Sequence, residues 1–348
     1  MVAMPDSPPR FSPSSIFVGA DGLRAGWSLA LFLGLLTVYS QILGLAARAV
    51  APARLQAHGS QTAGHLAFRE AVWALAILIS TWTMAKTEGR PLGQFGFGGQ
   101  GLRRSLPGAC WGFAALTVLV LALRASGLLV FAGLALGPAA AAGYAAAFAV
   151  AFLLVAFSEE YLMRGYAQVT LARGLAGLLG ACGLGPRARP AGFWIAAVIL
   201  SSLFGLGHRN NPGESPVGLL MAGAAGLVFC YSLWRSGSLW WALGFHAAWD
   251  WAETYFYGTA DSGMVATGHL LASHPAGHPL WSGGATGPEG SLLVLPLLLA
   301  VAVLIRLTLK PRPEAAAGRR PPLSHPCSIQ PRTGRPAPAW PWPRRWRR

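Results

Sequence analysis

Apolar residues fall in long, nearly unbroken runs near 26–47, 67–85, 108–131, 142–166, 191–208, 217–234, 238–257 and 290–309. A hydrocarbon core of about 30 Å needs roughly 20 such residues per helix. The pattern therefore predicts an all-α fold, a polytopic transmembrane bundle of about eight spans. A shorter, Gly-punctuated apolar stretch at 171–183 is expected at the membrane interface. Residues 1–25 are polar and contain Pro and Ser, so they read as a cytoplasmic N-terminal segment rather than a cleavable signal. Residues 26–309 form the membrane-embedded domain. Residues 311–348 hold ten prolines among many arginines and are expected to be disordered.

Composition supports lipid as the solvent. Of 348 residues, 53% are hydrophobic and 11% charged, against about 25% charged in soluble domains. The net charge of +15 suggests nucleic acid until it is located. Residues 310–348 carry ten basic residues and one acid, so +9 of the total sits beside the last span. Such a tail contacts anionic lipid, and no nucleic-acid partner is expected. The loops alternate: 86–104 and 173–189 are basic, whereas 125–141 has no basic residue and 258–289 holds only Asp261 and Glu289. By the positive-inside rule both termini are cytoplasmic. The four cysteines form no CxxC pair, which removes a disulfide framework or zinc knuckle from consideration.

Only twelve acidic residues occur, yet Glu159, Glu160, Asp250 and Glu253 fall inside or at the edge of apolar runs. A charge at a membrane helix centre costs about 2.5–3.5 kcal/mol on insertion scales, so these positions point to function. The first cluster is Ser158-Glu159-Glu160-Tyr161-Leu162-Met163-Arg164-Gly165. Glu160 and Arg164 are i,i+4 and can neutralise each other. Glu159, about 100° further round the helix, is left free to act as a base. The bland alternative is an ion pair locking two helices. The second cluster, Phe204-Gly205-Leu206-Gly207-His208, ends the fifth run and precedes a turn at Arg209-Asn210-Asn211-Pro212-Gly213. Alone, His208 reads as a helix-end hydrogen bond. The third, His246-Ala247-Ala248-Trp249-Asp250, again pairs ionisable groups at i,i+4 among Trp240, Trp241, Trp249 and Trp251, some of which suit an interfacial aromatic belt. Together the clusters offer water activation with oxyanion stabilisation, or a metal site.

In this order, Glu-Glu-x-x-x-Arg-Gly, Phe-x-x-x-His and His-x-x-x-Asp resemble the motifs of the CAAX prenyl protease and bacteriocin-processing (CPBP) intramembrane proteases, with flanking residues similar to bacterial members. The resemblance implies an intramembrane endopeptidase of a bacterial inner membrane, acting on membrane-associated, CAAX-like protein or peptide substrates in contact with the bilayer. It implies catalytic roles for Glu159 and His208 in activating water, for His246 and Asp250 at the oxyanion or in orienting substrate, and for Glu160 and Arg164 in ordering the motif helix. Met163 stands where Phe is common, and Asp250 where the eukaryotic enzymes have Asn. An ionised Asp cannot donate to an oxyanion, so Asp250 is read as holding the tautomer of His246. Zinc on Glu159, His208 and His246 is the alternative to a metal-free mechanism, although no His-Glu-x-x-His occurs. A proton-coupled transporter would spread its polar residues along a path, and a non-catalytic immunity or scaffold protein would retain the fold alone. With these span boundaries Glu159 lies toward the cytoplasmic end of its helix and His208 toward the opposite end of its own. A shared site requires the two within about 6 Å, directly or through one water.

Overall fold

The structure, a computed structural model, describes residues 13–19, 22–50, 62–98 and 101–311. The expected disordered tail and most of the N-terminal segment lie outside the described residues. A small N-terminal hairpin, β1 (Val18–Gly19) with β2 (Gly22–Leu23), leads into α1 (Ala25–Val50). The helices α2 (Ala63–Glu88), α3 (Gly101–Ala125), α4 (Pro138–Glu160), α5 (Gln168–Ala181), α6 (Ala188–Gly207) and α7 (Pro216–Ser236) follow. The described part closes with α8 (Trp240–Asp250), a single turn α9 (Pro279–Ser282) and α10 (Val294–Thr308). A two-stranded antiparallel ribbon, β3 (Leu129–Leu134) with β4 (Leu271–Pro275), joins the loops at one end.

Among the described residues, six helical runs are long and apolar enough to cross a membrane; α10 is apolar but shorter. Their outward faces keep Leu33, Val118, Val150, Leu299 and Leu307 exposed, as expected where lipid replaces water. The protein is an integral membrane helical bundle.

Three boundaries differ from the sequence reading. The third helix ends at Ala125, because Gly127 takes a left-handed conformation and the next residues pair as β3. The fourth span does not stop at 166. It continues through a π-helical stretch, Tyr161–Ala167, into α5, giving one helical run from Pro138 to Ala181. The stretch at 171–183 is thus the end of this long helix, packed on α6 and α1, and not a separate interfacial segment. Glu159 consequently lies mid-way along its helix and not toward one end of it.

The centre of the bundle is α8. Trp241, Ala242, Phe245 and Trp249 are buried against α3, α7 and α10, so Trp241 and Trp249 are core residues and not part of an interfacial belt. Backbone contact between α3 and α8 depends on Gly108, Gly112 and Gly244. A methyl group on any of them would overlap a facing carbonyl, of Trp241, Phe245 or Ser105 respectively. Small residues four apart allow this approach in lipid, where van der Waals packing drives helix association. The consequence is that α8, and with it His246 and Asp250, is held at a fixed depth.

Candidate active site

The three motif clusters converge on one cavity of about 520 Å³, lined by Glu159, His208, His246 and Asp250 and floored by apolar side chains from α4, α6 and α7. Two π-helical stretches flank it. One begins directly after Glu160 and the other, Trp251–Phe256, directly after Asp250. Such wide turns recur at functional sites, and each ends the α-helical register just after the motif acid.

Beneath the cavity lies a closed polar knot. Glu160 Oε1 accepts from Arg164 Nη1 at 2.9 Å and lies 3.0 Å from His246 Nδ1. Glu160 is fully buried and Arg164 1% exposed. The guanidinium lies over the Phe204 ring at 4.1 Å from its centroid, with Phe229 at 5.7 Å, a cation–π arrangement strengthened by desolvation. Gly226 leaves room for it, since a methyl there would stand 2.6 Å from Arg164 Nη2. Phe204 therefore links the motifs: it stacks on Arg164, meets His208 edge-on and lies edge-on to His246.

Above the knot, Glu159 is 31% exposed to the cavity and its Oε2 is 3.6 Å from His246 Nε2. His208 opens a short 3₁₀ turn at the end of α6, with Nδ1 2.9 Å from the Phe204 carbonyl. A carbonyl only accepts, so Nδ1 carries the proton and Nε2 of the neutral ring is a free base. In His246 the Nδ1 partner is a carboxylate, so its proton is likewise fixed on that side. That partner is Glu160, from the neighbouring helix, and not Asp250 as the i,i+4 spacing suggests. Asp250 Oδ2 instead faces the opposite nitrogen, Nε2, at 3.5 Å. An i,i+4 pair on a helix can meet at only one edge of the ring, and the inter-helix carboxylate occupies the other.

Sequence reasoning missed two features. Arg69 and Glu70 of α2 pair at 3.0 Å, and Arg69 reaches the cavity wall; lying at the edge of an apolar run they carried no motif. From the other end, Asp261 and Glu289 enter the cavity on loops and meet Glu253. Burial, and after it the charge of Glu289, pushes the Asp261 carboxyl well above the usual carboxylate range. The only signal available was that these are the sole charges in a 32-residue loop.

Zinc would hold N and O donors at about 2.0–2.2 Å, hence about 3–3.5 Å from one another. Glu159 Oε2 and His246 Nε2 approach that spacing. His208 does not complete the set: among the described residues the one group of three ligand atoms within 4.8 Å is Glu253, Asp261 and Glu289. The Glu159–His208–His246 arrangement does not fit a zinc site.

A family model described as type II CAAX prenyl endopeptidase Rce1-like matches residues 141–252. The match supports placing this segment in the CPBP family. All six motif residues, from Glu159 to Asp250, lie within this CPBP segment, as do both π-helical starts. No curated protein and no solved structure matches the chain. The family is one of CAAX-type proteases, whose substrates are membrane-associated proteins.

Proposed function

We propose that this chain is an intramembrane endopeptidase that hydrolyses a peptide bond of a membrane-associated, CAAX-like substrate with a water activated by Glu159 and His208. The observation that carries the reading is the division of labour between adjacent glutamates. Glu160 is sealed in the Arg164–His246 knot, whereas of the two glutamates only Glu159 lines the cavity. In this scheme Glu159, with the free Nε2 of His208 nearby, takes a proton from water as the oxygen attacks the scissile carbonyl carbon. The C–N bond then breaks as that proton passes to the leaving nitrogen, so no covalent enzyme intermediate is needed. His246 supports the oxyanion. With Nδ1–H held by Glu160, its Nε2 donates in the imidazolium form, for which Glu160 is the counter-ion.

The decisive assay is cleavage of a quenched CAAX-type peptide by purified protein in liposomes. Product whose formation disappears in Glu159→Gln supports the proposal; transport of protons without cleavage supports a relay instead. A zinc-selective chelator such as 1,10-phenanthroline is expected to leave the rate unchanged. Loss of activity, restored by one equivalent of zinc, would make Glu159, His208 and His246 ligands and require another base.

Two substitutions on α8 separate the roles of its motif. His246→Ala is expected to lower turnover by about 10²–10³, the usual effect of losing one oxyanion donor. Asp250→Asn is expected to keep substantial activity, because Asp250 makes no direct hydrogen bond to His246 and an amide in its place can itself donate. Equal losses in the two variants, measured as kcat at saturating peptide, would show that the Asp250 carboxylate is required.

A further inference from the structure

We propose that Glu253, Asp261 and Glu289 form a calcium-binding site that ties the end of the α8 helix to the loop roofing the cavity. Ligand oxygens of the three residues lie within 4.8 Å of one another. Three protein carboxylates suit Ca²⁺, which takes about six to eight oxygen ligands, better than Mg²⁺, which keeps several waters and is held by one or two carboxylates. An all-oxygen, all-carboxylate set selects a hard cation over zinc.

The arrangement is more than a clustering of acids. Each carboxylate is anchored through one oxygen by a protein donor. Trp249 Nε1 donates to Glu253 Oε2 at 2.9 Å, Thr254 Oγ1 to Asp261 Oδ2 at 3.1 Å, and Ser262 N and Oγ to Glu289 Oε1 at 2.6 and 2.5 Å. The second oxygens carry no such anchor of normal hydrogen-bond geometry among the described residues. Glu253 is 0% exposed, and its Oε1 is buried without a hydrogen bond of normal geometry, the Glu289 amide leaning toward the carboxylate without closing one. Oε1 faces the turn that carries Glu289, because a methyl built at Gly287 would stand 3.3 Å from it. A bare, buried carboxylate oxygen is among the most expensive groups to leave unmatched.

Charge gives the same answer. Glu70, Glu88, Glu159, Glu160 and Asp250 each have an arginine or histidine within 4 Å; among the described residues Glu253, Asp261 and Glu289, like Glu214, have none. Three carboxylates without a cation must be neutralised by protons or by a metal ion. The loop that supplies Asp261 and Glu289 contains no lysine or arginine from 258 to 289, which by the positive-inside rule faces away from the cytoplasm, where calcium is available at the 10⁻⁴–10⁻³ M affinity of extracellular modules.

The test uses the full-length protein in detergent, stripped with EGTA and then titrated with Ca²⁺ or with Mg²⁺. The expected result is one Ca²⁺ bound per chain by equilibrium dialysis, half-saturated between about 10⁻⁴ and 10⁻³ M, with a Tm raised by about 5 °C at high saturation and a smaller effect of Mg²⁺. Asp261→Asn and Glu289→Gln should remove both the stoichiometric binding and the Ca²⁺-dependent rise, while their calcium-free Tm is no lower than that of the stripped wild type. Absence of stoichiometric binding by the wild type at millimolar Ca²⁺, or binding that survives both substitutions, overturns the proposal and leaves the carboxyls neutralised by protons. Neither readout depends on peptide cleavage, so the outcome is independent of the hydrolytic reading.

Discussion

Glu159→Gln is expected to lower peptide turnover by about 10²–10⁴-fold, the usual contribution of a positioned general base, while Tm changes little. The two halves of this expectation rest on one geometry. Glu159 faces the cavity at 31% exposure, and its close polar contact is His246 Nε2 at 3.6 Å, beyond hydrogen-bond distance. Gln keeps the shape and removes only the basic oxygen, so the fold loses no partner. The measurement is single-turnover cleavage in liposomes beside a thermal melt of the same preparation. Full activity in this variant would remove Glu159 from the chemistry and return the cavity to a transport or scaffold reading.

Glu160→Gln is expected to damage both stability and turnover. Glu160 is the counter-charge of Arg164 and the acceptor of His246 Nδ1, all within one sealed knot. Neutralising it strands a guanidinium that is 1% exposed, and breaking one side of such a buried pair costs about 3–5 kcal/mol. Stability and chemistry can be separated. Replacing both members, Glu160→Leu with Arg164→Met, removes the stranded charge and is expected to recover most of the lost Tm. Turnover should stay low, because the Nδ1 proton of His246 still lacks its carboxylate. A double variant that regained activity along with stability would confine Glu160 to a structural role.

The membrane architecture was legible because the signal is local. A run of apolar residues long enough to cross hydrocarbon must close its own backbone hydrogen bonds, so helix follows from composition alone. The misplaced boundaries fell where tertiary contacts intervene. Residues 129–131 are as apolar as a helix end, yet they leave α3 to pair with Ser273, His274 and Pro275. Residues 161–167 read as the close of a span, yet they unwind only into a π-helical stretch and carry on, because the widened turn is accommodated by the buried contacts of Arg164 and Tyr166.

For the candidate site, the sequence by itself determined which residues are too costly to face lipid, and the pairing of Glu160 with Arg164, since both depend only on helical spacing and burial of charge. Only the tertiary structure decided which carboxylate holds which ring edge. The i,i+4 rule nominated Asp250 for His246, but a ring has two nitrogens, and the packing of α8 on α4 gave Nδ1 to Glu160, 86 positions away. The same holds for Glu253, Asp261 and Glu289. Their meeting requires the loop after α8 to fold back over the cavity, and no periodicity along the chain encodes a contact between residues that share neither a helix face nor a strand.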